Sequence, residues 1–368
     1  MKTTRSRMES PYLAWAKLSS RAPVNLATSA VAPFPTNELP IRLEDLELNA
    51  PGGYGWPPLL ERIARFTGAA TDCIVAAGGT SMGNHLAMAA TLDPGDEALV
   101  EQPTYEPLLA TARYLGAEVR RFERRREDEF RLDPRELERA MTPRTRLVAL
   151  ANLHNPTSAP AAEEDLRACG EIAREAGARV LVDEVYLEAM FERRPRAAFH
   201  LGPAFITTSS LTKAYGLGGL RCGWVLAEPE MARRMWRLRD LFDVIAAHPA
   251  ERLGAIAFDH RERIAARARA LLAANRPLME RFLDAHPGLA TCRGGRPEFG
   301  TVYCLRAPGG DGDGFAAFLR ERHQTAVVPG RFFEMPDCFR VGIGGGGENL
   351  AEGLKRLGAA LEEFPRQQ

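Results

Sequence analysis

The chain has no surplus of charge of either sign: 48 Lys and Arg stand against 48 Asp and Glu in 368 residues. Without a net field it has no electrostatic means of recruiting nucleic acid or an anionic membrane, so a small neutral or zwitterionic partner is expected. It lacks any run of ~18 apolar residues, the length needed to cross a bilayer. The charged start Met1-Lys2-Thr3-Thr4-Arg5-Ser6-Arg7 has no apolar stretch behind it, and a cytoplasmic protein is expected. Paired cysteines are missing too. Cys73, Cys169, Cys222, Cys292, Cys304 and Cys338 are scattered, with no C-x-x-C and no zinc-like spacing, in a chain too long to need disulfide staples. They read as reduced core thiols, and no metal is expected. G-x-G-x-x-G, internal repeats and low-complexity tracts beyond glycine loops are also absent.

What is present divides along the chain. A single core stops growing near ~250 to 300 residues, so a large domain and a smaller one are expected. Residues 1–50 are weakly patterned, and Pro11, Pro23, Pro33, Pro35 and Pro40 break any long element; this reads as an arm. From Pro57 a helical pattern (Leu59, Leu60, Ile63, Phe66) runs to Gly68, and short apolar strands then alternate with helices, the pattern of a mostly parallel sheet. Seven strands are predicted, at 73–77, 98–101, 118–122, 147–151, 180–183, 205–208 and 223–227. One helix between them, 163–176, carries Leu166, Cys169, Ile172 and Ala173 on one face and stops at Gly177. After Pro229 come Arg-rich helices at 230–242 and 250–286, with Pro249 and Pro277 as possible kinks; interspersed acids favour solvated faces over a nucleic-acid stripe. A compact α+β module follows, with strands at 301–306, 326–328 and 339–343, a flexible loop at 309–314, and helices at 315–322 and from Asn349.

The most informative segment is Ser209-Ser210-Leu211-Thr212-Lys213-Ala214-Tyr215-Gly216, continued by Leu217-Gly218-Gly219-Leu220-Arg221. It sets one lysine among small and hydroxylated residues at the C-terminal end of a buried strand, where open α/β sheets place their ligands. A surface lysine in a glycine-rich turn is the alternative. Val182-Asp183-Glu184-Val185-Tyr186 is a buried strand ending in a carboxylate. Asp183 and Glu184 would face opposite ways if the strand continued, and Asp183 could also simply cap the next helix. Gly78-Gly79-Thr80-Ser81 opens a helix whose free N–H groups and positive dipole end suit a phosphate, though such a turn also suits a nucleotide. His154-Asn155-Pro156-Thr157, Glu101-Gln102-Pro103-Thr104-Tyr105, Pro51-Gly52-Gly53-Tyr54-Gly55 and Phe339-Arg340-Val341-Gly342 complete the set. Taken alone, Asn155-Pro156 is a turn signal and Tyr105 a half-buried packing residue.

In order and spacing, from about Tyr54 to Arg340, these segments resemble the class I/II aminotransferases, pyridoxal-phosphate (PLP) enzymes of fold type I. The resemblance implies an α/β fold with a large domain at 49–270 around a mostly parallel seven-stranded sheet flanked by helices. A smaller α+β domain would combine part of the arm at 1–48 with 271–368. It implies Lys213 as the Schiff-base lysine that moves the Cα proton, and Asp183 as the pyridinium partner. Asn155 and Tyr186 would be donors to O3′, and Tyr105 the aromatic wall. Gly79, Thr80, Ser81, Ser210 and Arg221 would form the phosphate cradle, which Tyr54 reaches from a neighbouring subunit of a homodimer. Arg340 would grip the substrate α-carboxylate, with Asn155 nearby, and an amino acid and a 2-oxo acid would be the substrates. Racemases, decarboxylases, lyases and cyclases of the same fold share these residues, so α-carbon chemistry other than transamination stays open. A catalytically silent PLP-fold binding module is disfavoured by the presence of both Lys213 and Asp183. Two departures stand out: Ser158 replaces the usual glycine after N-P-T, and Ala27-Thr28-Ser29-Ala30-Val31 replaces a glycine-bearing substrate loop.

Overall fold

The computed structural model describes residues 9–49 and 51–364; the charged start read above at 1–7 lies outside them. Its largest unit is a seven-stranded sheet in the order Ile74–Gly78, Cys222–Leu226, Phe205–Ser210, Arg179–Asp183, Thr145–Ala151, Glu97–Gln102, Glu118–Glu123. All strands run parallel except Cys222–Leu226, which is antiparallel to both neighbours. Helices cover both faces, which is why the central strands read as continuous apolar runs such as Leu147-Val148-Ala149-Leu150. Glu118–Glu123, at the edge, alternates instead, and its charged residues protect an unpaired strand from further pairing. Every predicted strand of this sheet is found, with ends shifted by no more than two residues.

The C-terminal module is a three-stranded antiparallel sheet, Val328–Pro329, Cys338–Gly342 and Val302–Arg306. Helices Gly312–His323 and Gly347–Glu363 pack on it around Tyr303, Leu305, Phe315, Phe339 and Leu357. Leu26 from the arm joins this core, and Val24–Asn25 pairs in parallel with Thr325–Ala326. The helix Arg261–Ala285 spans the expected boundary at 270. Its Ile264 and Ala265 belong to the core of the large sheet, while Ala268, Leu272, Met279 and Leu283 belong to the second core.

Four expectations are corrected. Pro11 does not break the arm; it occupies the first turn of a helix, Pro11–Leu18, where its missing N–H costs nothing, with Ser10 Oγ accepting from Leu13 N–H as the cap. The glycine loop at 309–314 is half helix, because the Asp311 carboxylate accepts from Gly314 N–H and starts Gly312–His323. The strand at 326–328 is two short strands in different sheets. The pattern at 250–286 is two helices, His248–Asp259 and Arg261–Ala285; Pro249 lies in the first turn of one and Pro277 inside the other. Among the described residues no helix is long and apolar enough to cross a membrane.

Candidate active site

The parallel strands end on one edge of the sheet, and there the polar residues collect. Thr80 and Ser81 follow strand Ile74–Gly78, Tyr105 follows Glu97–Gln102, Asn155 follows Thr145–Ala151, Asp183 ends Arg179–Asp183, and Lys213 follows Phe205–Ser210. Together with Tyr186, Ser210 and Arg221 they line a cavity of about 190 Å³. Beneath it the ion pair Glu101–Arg124 (3.0 Å) is fully buried. Glu101 also accepts from Ala151 N–H (2.8 Å), tying two strand ends together, and burial pushes its carboxyl up to about 7.

Gly79 stands at φ +85° before the helix Thr80–Thr91, and a Cβ there would lie 2.3 Å from Arg221 Nη2. Only glycine lets the guanidinium close over this turn. Arg221 donates to Gly78 O (2.8 Å) and Gly218 O (3.0 Å), and Thr80 Oγ1 donates to Ser210 Oγ (2.9 Å). A helix N-terminus, two hydroxyls and an arginine thus converge, the donor set for a phosphate.

Asp183 is buried, and its pKa is raised by loss of water, held back by Asn84 Nδ2–H (2.8 Å), Val185 N–H (3.1 Å) and the charge of Lys213. Thr208 Oγ1 donates to Asn84 Oδ1 (2.5 Å) and fixes the amide that holds the carboxylate. Glu184 is turned away, as the alternation of a strand requires. It accepts from Ala198 N–H (2.8 Å), and burial pushes it up to about 8. Lys213 Nζ donates to Ser29 Oγ (3.1 Å), as does Tyr186 OH (2.8 Å).

Arg340 comes from the small sheet and is buried. Its Nη1 donates to Asn155 Oδ1 (2.9 Å), its Nη2 to Tyr12 OH (3.0 Å), and its guanidinium stacks on Phe333 (4.7 Å). Tyr12 stands edge-on to Tyr105, with ring centroids 5.8 Å apart. Ser158 takes φ +60°, a left-handed conformation that favours glycine, and its Oγ donates to Val302 O (3.0 Å). Of the expected residues, Gly79 and Arg340 do not line the cavity but contact its lining residues Arg221 and Asn155, whereas Tyr54 stands apart. It does not line the cavity; it is half exposed and donates to Asp240 (3.0 Å). Sequence reading passed over Tyr12, Ser29 and Asn84. The Ser10-Pro11 cap pair was a usable signal for the helix carrying Tyr12, and Ser29 sits in the segment already noted as unusual.

The family model "aminotransferase class I and II" matches residues 42–357. The chain belongs to that family. Arginine–pyruvate transaminase AruH of Pseudomonas aeruginosa is 28% identical over 332 residues, covering 83% of this chain and 79% of that protein. Capreomycidine synthase of Streptomyces vinaceus is 28% identical over 292 residues, covering 78% and 74%. A PLP-dependent aminotransferase from Streptococcus suis is 26% identical, with a TM-score of 0.90 and full coverage of both chains. Membership carries the cofactor and the reaction class: a pyridoxal-phosphate-dependent transferase acting on an amino acid and a 2-oxo acid.

The residues present fit that cofactor. The Gly79 turn under Arg221 is shaped for a phosphate, and the cavity beside it is bounded by one lysine amine. Asp183 is a desolvated carboxylate held by neutral donors, and a cationic partner would relieve its burial.

Proposed function

We infer that this chain transfers an amino group between an amino acid and a 2-oxo acid at the cavity beneath Arg340. Lys213 would hold the cofactor covalently, and its Nζ would move the proton that leaves substrate Cα. Bound pyridoxal phosphate supplies the sink for the electrons of that C–H bond. Asp183 would keep the ring nitrogen protonated through a charge-assisted bond. Asn155 and Tyr186 would donate to the ring oxygen, Tyr105 would flank the ring, and Gly79, Thr80, Ser81, Ser210 and Arg221 would cradle the phosphate. Arg340 takes the α-carboxylate by its planar fork. The observation that carries this reading is Lys213 and Asp183 facing one cavity, with Arg340 bonded to Asn155 in its lining.

The exposure of Tyr54, away from its own cavity, supports a role at a partner's phosphate and hence a homodimer with shared sites. Free thiols throughout the described chain support a cytoplasmic location. Two parts are inferred, a large domain at 49–270 and a smaller one from the arm at 1–48 with 271–368. Similarity to a PLP-dependent cyclase, OrfR, 26% identical with a TM-score of 0.86 over 99% of this chain and 100% of that one, favours a second reading, α-carbon chemistry that ends in cyclisation. A panel of amino acids, scored for the spectral change of the cofactor and for 2-oxo acid released, separates the two. Oxo acid formed stoichiometrically with the aminated cofactor supports transfer, and its absence with substrate consumed supports the second reading.

A further inference from the structure

Linear spacing hides one convergence. Cys292, Cys304 and Cys338 are 12 and 34 positions apart, yet their sulfur atoms meet. Cys292 Sγ donates to Cys338 Sγ at 2.8 Å and Cys304 Sγ to Cys292 Sγ at 3.1 Å. All three are buried free thiols whose sulfur atoms lie within 4.8 Å of one another. Strand register makes the cluster. Cys304 lies opposite Arg340, Cys338 lies two residues before it on the same face, and Cys292 is fixed by its N–H donating to Cys304 O (2.9 Å).

Packing alone does not ask for this. A buried cysteine behaves as a small hydrophobe, and unbonded carbon atoms settle at about 3.5–4.0 Å. Sulfur is larger, so these separations are well inside ordinary contact. The surroundings are those of a thiolate cluster. Arg126 Nη2 donates to Cys338 Sγ (3.5 Å) and is held there by Asp337 (2.9 Å), whose Oδ1 in turn accepts from the Cys338 thiol (3.4 Å). An N–H···S donor of this kind offsets negative charge on metal-bound sulfur. The Arg126 and Asp337 side chains are 32% and 33% exposed, so they form a rim open to solvent above the buried sulfur atoms.

We propose that Cys292, Cys304 and Cys338 form a trithiolate site for one soft divalent cation of the Zn²⁺ and Cd²⁺ class, with the Asp337 carboxylate at hand for the fourth position. Thiolates select soft cations. Zinc bonds sulfur at about 2.3 Å in tetrahedral sites, which puts the sulfur atoms about 3.8 Å apart, so the cluster spreads by about 1 Å or less. Three S–H bonds break, three metal–sulfur bonds form, and three protons pass to solvent. The site is independent of the catalytic roles inferred above.

The test is a titration of reduced, full-length holoenzyme with Cd²⁺ and with Zn²⁺. Expected are one equivalent bound per chain with submicromolar affinity, an ultraviolet thiolate-to-cadmium charge-transfer band, and a rise in Tm with Zn²⁺. Cys304→Ser weakens binding by about 10²-fold or more and Asp337→Asn by about 10-fold; Cys73→Ser leaves it unchanged. The parent titration and the milder Asp337→Asn keep the test valid if the Cys304→Ser chain folds poorly. No stoichiometric band in the parent, or undiminished binding in folded Cys304→Ser, overturns the proposal. So does a Cys292–Cys338 disulfide in the unreduced protein together with no metal uptake by the reduced form.

Discussion

On the floor of the cavity each polar group except Arg221, which immediately precedes a strand, ends a strand of the large sheet or follows one by no more than four residues, whereas Tyr12, Ser29 and Arg340, which form a roof through bonds to one another and to that floor, arrive from the arm and the small sheet. Strands about 4.8 Å apart set the floor's spacing rigidly. The roof is held by side-chain bonds, Arg340 to Asn155 and Tyr12, and Ser29 to Lys213 and Tyr186. The difference assigns tasks. A rigid floor suits a cofactor that never leaves, and a roof of exchangeable bonds suits a substrate that must enter and depart.

If that division holds, damage to the floor lowers kcat and damage to the roof raises KM. The largest effect after loss of the lysine itself is expected for Asp183→Asn, which keeps the acceptor for Val185 N–H but removes the charge facing the cavity. The rate of Cα deprotonation in a single turnover falls by about 10²-fold or more while substrate binding survives. Equal single-turnover rates in mutant and parent would falsify the role of Asp183. Arg340→Lys replaces a planar fork by a point charge. Its kcat/KM falls by about 10- to 100-fold, carried mainly by KM for both amino acid and oxo acid; a loss confined to kcat would place Arg340 on the floor instead. Tyr12→Phe removes one hydrogen bond to Arg340 and raises KM by about 2- to 10-fold with kcat unchanged.

How legible each region was follows from the same architecture. Floor residues are read because a strand end fixes both position and direction, so short motifs such as Val182-Asp183 and Ser210-Leu211-Thr212-Lys213 carry their geometry with them. The opposed facing of Asp183 and Glu184 needed only a period of two. Of the roof, Arg340 was legible for the same reason, since Phe339-Arg340-Val341-Gly342 is itself a strand. Tyr12 and Ser29 were not, because the arm has no periodicity and takes its shape from what it packs on, as Leu26 does in the second core. Ser158 shows the limit of reading by residue type: a serine adopts a left-handed conformation that favours glycine, and its hydroxyl donates to Val302 O across the two regions. The thiol cluster escaped because its members come from separate segments with no shared local pattern.

A smaller effect probes the wall behind the floor. Glu184 has a folded-state pKa of about 8 against an ordinary 4.5, so the folded chain binds its proton more tightly than the unfolded chain. That stability is complete below the unfolded value and is lost as pH rises through about 8, with a slope of at most about 1.4 kcal/mol per pH unit. Glu184→Gln keeps an acceptor for Ala198 N–H and removes the titration, so the fall in Tm between about pH 5 and 8 flattens. An unchanged fall would assign it to another buried acid such as Glu101.

Cofactor attachment at this cavity depends on Lys213. Borohydride reduction of the holoenzyme followed by peptide mapping tests it most directly. The expected result is one pyridoxyl label per chain, on the peptide containing Lys213, with none on a Lys213→Ala chain that still folds. A label on a different lysine, or no label on protein that binds the cofactor, would contradict the assignment of this cavity.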